Sequence, residues 1–288
     1  MAKEIVILSG KGGTGKTSLV SSFASIVENA MLVDCDVDAA DLHLLVHPEI
    51  QVEQPFIYGQ TAVIDPQVCN RCGRCQDLCR FNAIGNFRID TSRCEGCALC
   101  FMVCPLQAIQ MEPKICGRWF LSDTRYGPML HAVLDTGAGN SGKLVSLLRQ
   151  TAREVAQKAN CEFILVDGPP GIGCPVISSL TGADLVIIIT EPTLSGIHDL
   201  GRVIGICKHF EIPSLVCLNK CDINPENSQQ IEDYCRSQGI KIISYLPFSD
   251  VFTEAQLNGV PPIEYTDGNL RELIRNTWVE ITKHIEKV

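Results

Sequence analysis

The chain has 288 residues, which suggests one or two domains, and its 45% hydrophobic and 20% charged residues are ordinary for a globular protein with a full core. A net charge of −9 argues against a broad nucleic-acid footprint, which needs a basic face. No apolar run approaches the ~18 residues of a membrane helix, and the N-terminal apolar run ends in a glycine loop instead of a secretory cleavage site, so a cytoplasmic protein without membrane insertion is expected.

Taken in order, the chain opens with the apolar run Ile5-Val6-Ile7-Leu8, a predicted buried strand. Ser9-Gly10-Lys11-Gly12-Gly13-Thr14-Gly15-Lys16-Thr17 follows, then a helical segment from Ser18 to Val27. Strand, glycine loop and helix are the context of a phosphate-binding loop. Its glycines turn backbone N–H groups inward, and the helix N-terminus adds partial positive charge. Lys16 is placed to reach the β- and γ-phosphates, and Thr17 to ligate Mg²⁺. Residues 30–34 read as a second strand ending in Asp34-Cys35-Asp36-Val37-Asp38. Acidic groups at a strand's C-terminal end sit where open α/β sheets bind ligands. Asp34 and Asp38 could instead cap a helix over Ala39 to Val46.

From Pro48 to Gly59 the apolar periodicity stops, and Pro48, Pro55 and Gly59 predict a linker. An internal repeat follows. Cys69-x-x-Cys72-x-x-Cys75-x-x-x-Cys79 recurs 25 residues later as Cys94-x-x-Cys97-x-x-Cys100-x-x-x-Cys104. Ile64-Asp65 and Ala83-Ile84 recur at the same offset as Ile89-Asp90 and Ala108-Ile109. These eight are half of the 16 cysteines. Disulfides require an oxidising compartment, and the chain shows no leader to reach one. Metal binding is therefore the better reading, with zinc a rival to iron–sulfur clusters.

Beyond Pro113, strands are predicted at Gly117 to Leu121 and Met129 to Leu134. The glycine-rich loop 135–143 precedes a helix from Leu144 to Lys158, and is expected on the active face of the sheet, with a second nucleotide site as the alternative. Cys161 to Val166 reads as a strand ending in Asp167-Gly168-Pro169-Pro170-Gly171; a plain turn is the competing reading. Cys174 is read as structural or redox-relevant. Strands at Asp184 to Thr190, Ser214 to Asn219 and Lys241 to Leu246 alternate with helices at Ser195 to Phe210 and Pro225 to Gln238. The last segment, from Leu270, sets Leu270, Leu273, Ile274, Trp278, Ile281 and Ile285 on one helical face. Its opposite face mixes both charge signs, which suits packing on the sheet better than a membrane surface.

The loop Gly10 to Thr17 resembles the deviant Walker A motif of the MinD/ParA/Mrp ATPases and the nitrogenase iron protein. That resemblance implies an α/β fold with a mostly parallel sheet, binding ATP with Mg²⁺ through Gly12, Gly13, Thr14, Gly15, Lys16, Thr17 and Ser18. It implies a homodimer in which Lys11 acts on the partner's nucleotide. By the same resemblance Asp36 positions the attacking water, Asp167 holds Mg²⁺ through water and Gly171 senses the γ-phosphate. Asn219 and Lys220 would lie at the base, although Asn219-Lys220-Cys221-Asp222 also fits guanine recognition, and Pro247 would open the base-and-ribose loop. The cysteine runs resemble bacterial ferredoxins with two 4Fe-4S clusters, in which the fourth cysteine of each run crosses to the other cluster. The implied sets are Cys69, Cys72, Cys75, Cys104 and Cys94, Cys97, Cys100, Cys79. Cys104-Pro105 keeps the family's proline, whereas Arg80 follows Cys79. Together these imply a P-loop domain in two parts, 1–59 and 114–288, with an inserted α+β ferredoxin-like domain at 60–113. The implied function is an ATPase whose cycle gates electron transfer to a redox protein or acceptor enzyme. An iron–sulfur carrier and a redox-sensing scaffold are the alternatives.

Overall fold

The computed structural model describes residues 2–135, 137 and 139–286. Its elements in order are β1 (Lys3–Ser9), α1 (Lys16–Ala24), β2 (Met31–Asp34), α2 (Leu42–Val46), β3 (Glu49–Ile64), α3 (Arg74–Asp77), β4 (Ile84–Gly85), β5 (Arg88–Ile89), α4 (Leu99–Val103), β6 (Ile109–Thr124) and β7 (Gly127–Leu134). Then come α5 (Ser141–Lys158), β8 (Phe163–Pro170), α6 (Cys174–Leu180), β9 (Leu185–Thr190), α7 (Leu194–His209), β10 (Ser214–Asn219), α8 (Pro225–Gln238), β11 (Lys241–Leu246), α9 (Val251–Leu257), α10 (Pro262–Tyr265) and α11 (Asn269–Ile285). Two compact units result. One runs to Glu53 and takes in Trp119–Val133 and the described residues from Ser141; the other comprises Gln54–Arg118 and Leu134–Asn140.

The first unit is built on the sheet β11-β10-β9-β1-β8-β2-β7-β6-β3. From β11 to β7 every neighbouring pair is parallel. Buried parallel strands demand near-continuous apolar runs, and Ile5, Val6, Ile7 and Leu8 of β1 are wholly buried, as are Val186, Ile187, Ile188 and Ile189 of β9. The register sets Ile5 beside Leu165 and Leu185, and Asp34 beside Asp167. The C-terminal ends of β1, β2, β8 and β10 therefore bring Ser9, Asp34, Asp167 and Asn219 to one edge of the sheet, where ligands of such folds bind.

Helix α11 buries the face predicted for it. Ile274, Trp278, Ile281 and Ile285 join the core, and Trp278 packs 5.5 Å from Phe23 and edge-on to Phe163 at 5.3 Å, ring centre to ring centre. Each such side chain contributes about 1.5–3 kcal/mol of burial, which fastens α11 beneath α1. Among the described residues no helix is long and apolar enough to cross a membrane. A buried carboxylate ties β1 to the helices: Glu4 accepts from Arg149 Nε at 2.5 Å and from Arg153 Nε and Nη2 at 2.9 and 2.7 Å. Arg149 Nη1 donates onward to the Ser178 and Thr181 carbonyls, both at 2.8 Å. Both Glu4 oxygens are thus paired, as a carboxylate this deep requires, while Arg149 Nη2 is buried without a hydrogen-bond partner.

The expected linker at 48–59 is not one. β3 spans Glu49–Ile64 and contains Pro55. It stands last in the sheet order, and an edge strand can take a proline because one row of its N–H groups has no ladder partner to lose. The return connection at 113–121 likewise lies inside β6. The first two of the chain's crossings between the units, at Glu53 and Arg118, thus lie within strands of 16 residues. Helix α5 begins at Ser141, three residues ahead of its predicted start. Thr136 and Ala138 of the glycine-rich loop lie outside the described residues, as do Lys287 and Val288 at the end of the predicted last helix.

In the second unit the sequence repeat is a structural one. Arg71, Gly73 and Asn82 adopt left-handed backbone at φ 58°, 84° and 50°; Gly96, Ala98 and Gln107, 25 positions on, do so at 65°, 60° and 52°. Cys69 N–H donates to the Asp65 carbonyl and Cys94 N–H to that of Asp90, both at 3.0 Å. The halves are cross-stitched, since Asp65 N–H bonds the Ala108 carbonyl (2.8 Å) and Asp90 N–H that of Ala83 (2.7 Å). The fully apolar core is small: Ala62, Ala83, Cys94 and Ile109, with Cys75, Cys79, Cys100 and Cys104 packed against it.

Candidate functional site

In the first unit a cleft of about 560 Å³ opens over the glycine loop. The loop earns its glycines sterically. Gly15 stands at φ +90°, and a Cβ there would lie 2.6 Å from the Asn219 amide nitrogen. No side chain caps α1, whose N-cap is Gly15. Its first-turn N–H groups therefore face the cleft without side-chain partners, the arrangement that binds phosphate. Gly12, Gly13, Thr14, Gly15, Lys16, Thr17, Ser18 and Asp36 all line the cleft.

Lys16 is buried and donates to Asp167 Oδ1 at 2.8 Å, with Asp36 Oδ2 at 3.8 Å. Burial works to strip its proton, but the Asp167, Asp36 and Asp34 carboxylates outweigh it and hold the ammonium above its ordinary pKa. Asp34 is fully buried and accepts from the Asp36 and Leu42 N–H groups, each at 3.1 Å. Burial, with the charge of Asp167 beside it, pushes its carboxyl well above the usual range. Its task is to pin the loop that carries Asp36. Burial also raises Asp36, which Lys16 partly opposes. Asp167 Oδ2 and Thr14 Oγ1 are buried with no hydrogen-bond partner. A buried carboxylate oxygen left bare beside a phosphate-type loop suits hydrated Mg²⁺; Asp167 does not itself line the cleft, whereas Thr17 does.

Lys11 does not line the cleft. Its Nζ reaches Glu191 Oε1 at 2.5 Å, Thr193 Oγ1 at 3.1 Å and Ser195 Oγ at 3.2 Å. Lys220 meets the other oxygen of Glu191 at 2.7 Å and the Gly13 carbonyl at 3.1 Å. Burial would raise the Glu191 carboxyl, but Lys11 and Lys220 together bring it below its usual value. Asn219 lines the cleft with both amide ends engaged: Nδ2 donates to the Thr14 carbonyl (2.8 Å) and Oδ1 accepts from Lys220 N–H (2.9 Å). In this state it braces the loop. Gly171 donates its N–H to the Ser9 carbonyl at 3.0 Å. Pro247 does not line the cleft, but its neighbours Phe248 and Ser249 do, with Phe252, Thr253 and Gln256 of α9. Sequence reasoning missed Glu191 and, in the α9 wall, Phe252 and Thr253, although Pro247 to Asp250 and Ala255 to Pro262 resemble the family's base-and-ribose loop. Glu191 directly follows β9, so the rule that drew attention to Asp36 applied to it equally.

In the second unit two hollows face the cysteines. Cys69, Cys72, Cys75 and Cys104 line the first, with Arg74 and Phe87; Cys79, Cys94, Cys97 and Cys100 line the second, with Glu95. Backbone N–H groups point at sulfur in matching places, Ala83 to Cys79 Sγ (3.4 Å) and Ala108 to Cys104 Sγ (3.3 Å). Among the described residues no group of three or more His, Cys, Asp or Glu side chains converges on a single metal ion. Cys174, at the start of α6, is exposed.

The parallel sheet and the cleft at its edge define a P-loop nucleotide-binding protein. The sequence matches the CobQ/CobB/MinD/ParA nucleotide binding domain over residues 5–263. The chain belongs to that family, which includes the MinD/ParA-type P-loop ATPases. An uncharacterized protein of Methanocaldococcus jannaschii is 35% identical over 227 residues, covering 78% of this chain and 80% of the relative. The septum site-determining protein MinD of Bacillus subtilis is 23% identical over 271 residues, 91% of this chain and 82% of that one. Among solved structures, MinD of Pyrococcus horikoshii in complex with Mg-ADP superposes with a TM-score of 0.59 at 18% identity, covering 98% of this chain and 96% of that one. The MinC:MinD complex of Aquifex aeolicus gives 0.60 at 19% identity, with 98% and 96% covered. At those identities the likeness is one of fold.

Proposed function

We propose that the protein binds and hydrolyses MgATP as a homodimer and couples this cycle to electron transfer through two 4Fe-4S clusters held by the second unit. The observation that carries the cluster reading is the composition of the two hollows. Each is lined by three cysteines of one run and the fourth of the other. That crossing is the ligation pattern of two-cluster ferredoxins. A cuboidal cluster binds each thiolate to a different iron, so its four sulfurs stand around a hollow. Zinc would need them to converge on one point, and no such convergence exists among the described residues. The N–H groups aimed at Cys79 and Cys104 sulfur would favour thiolates. Such clusters supply one-electron storage. The small apolar core of this unit also fits a module whose stability comes partly from a bound group.

On the nucleotide side, the α1 N-terminus and Lys16 would hold the β- and γ-phosphates, Thr17 and the bare Asp167 oxygen would serve hydrated Mg²⁺, and Asp36 would orient the attacking water. Lys11 would leave Glu191 to meet the partner's nucleotide. Protein purified without oxygen should hold about eight iron atoms per chain from two four-iron sites. Cys69→Ser and Cys94→Ser should each impair one cluster, read by iron content and by loss of part of the visible absorbance. Stoichiometric zinc in place of iron after anaerobic reconstitution would overturn the assignment.

A further inference from the structure

A second cleft, of about 540 Å³, lies wholly within the second unit. That size falls in the ~300–1,000 Å³ range of small-molecule sites. Its wall includes Arg71, Arg88, Phe87, Asn86 and Thr91. Cys69, Ile64 and Phe87 also line the first cysteine hollow, so the two spaces share a wall.

Two of these residues sit where glycine is the default. β4 and β5 are joined by Asn86-Phe87 with Gly85 paired to Arg88, and both turn residues have positive φ, 49° and 59°. Such turns normally carry glycine at the second position; here it is a phenylalanine. Arg71 holds φ 58°, and the chain's own second repeat puts Gly96 at the equivalent place. A bulky residue in this region is strained, and strain of this kind collects at ligand sites. Here both strained residues face one cleft. Among the described residues, neither the Arg71 nor the Arg88 guanidinium has an ion-pair or side-chain hydrogen-bond partner, and both residues are exposed. The module thus keeps two unspent cations and an aromatic ring around a concavity.

We propose that this cleft binds a phosphorylated aromatic molecule of the flavin mononucleotide class. The guanidiniums would take the phosphate through bidentate hydrogen bonds, and Phe87 would take the ring. The proposal rests on the cluster reading for its purpose, since ligand and cluster would then meet across Cys69 and Phe87, but the binding chemistry stands apart from it.

The test titrates flavin mononucleotide, and separately riboflavin, into the anaerobic full-length protein and into Arg88→Gln and Arg71→Gly, with iron measured in each sample. Arg71→Gly restores the residue of the second repeat and should keep the iron content of the parent. Saturable binding of the mononucleotide is expected, weakened about tenfold or more in each variant, as loss of one charge-assisted hydrogen bond requires. Riboflavin, which lacks the phosphate that both arginines would hold, should bind more weakly by more than either single variant costs. Equal binding of the two flavins, variants that bind like the parent, or an iron-replete parent that binds neither flavin would overturn the proposal. A parent without iron that still binds the mononucleotide through Arg88 would instead sink the cluster reading and leave this site standing.

Discussion

Glu191 holds Lys11 and Lys220 at once, at 2.5 and 2.7 Å. If Lys11 must cross to a partner's nucleotide, each protomer has to break the first of these contacts before the dimer forms. Hydrogen bonds to charged groups are worth about 1.5–3 kcal/mol, against roughly 0.5–1.5 for neutral ones. Glu191→Gln keeps the shape and loses the charge, so it should lower the cost of releasing each lysine by ~1–1.5 kcal/mol. That is about tenfold per lysine, and about 100-fold for a dimer that releases two. Sedimentation with ATP, in an Asp36→Asn background to block turnover, reads the dimer constant directly. Lys11→Ala should abolish ATP-dependent association while leaving the monomer folded. A Glu191→Gln dimer no tighter than the parent's, with ATP binding unchanged, would refute the idea that Glu191 restrains Lys11.

Two further outcomes are expected. Lys16→Ala should weaken MgATP binding by at least tenfold, because it removes the cation facing the phosphates and leaves Asp167 and Asp36 unneutralised, whereas Asp36→Asn should slow hydrolysis with binding nearly intact; equilibrium binding and phosphate release separate the two. Buried His131, hydrogen-bonded to Ser122 at 3.1 Å and stacked on Phe120 and His43, is lowered to about 4 by burial, with the charge of His43 adding to the shift. The unfolded chain takes up this proton near pH 6.5 and the folded one does not until about 4, so its stabilising effect is complete above 6.5 and is lost as pH falls toward 4. The loss should reach at most about 3 kcal/mol, visible as a falling denaturation midpoint by circular dichroism and flattened in His131→Gln.

Much of this was legible in the chain because the signals were local. β10 and β11 lie where they were predicted, at Ser214–Asn219 and Lys241–Leu246, since a short, mainly apolar run between polar flanks has few other uses in a parallel sheet. The glycine loop could be read because its chemistry is written in consecutive residues. What could not be read depended on neighbours in space. Pro55 signals a break by itself, and only its place on the last strand of the sheet makes it tolerable. Glu191 could be noticed from its place just after β9, but not its role, because Lys11 and Lys220, distant in sequence, reach it only in space. The meaning of Arg71 and Phe87 lies in a backbone angle, which no composition reveals.

The interleaving of the units also fixes an order of events during synthesis. β1 and β2 emerge first, but β8, which lies between them in the sheet, is translated only after the whole segment Gln54–Arg118. Until then β1 has neither of its sheet neighbours, and β2 can pair only with β7. The cysteine-bearing segment, by contrast, is contiguous, and its last ligand candidate, Cys104, is made well before Phe163. The nascent chain can therefore finish the small module while the nucleotide cleft does not yet exist. A ribosome-bound chain stalled near residue 140 would be a natural specimen for following the module's maturation before any nucleotide can bind.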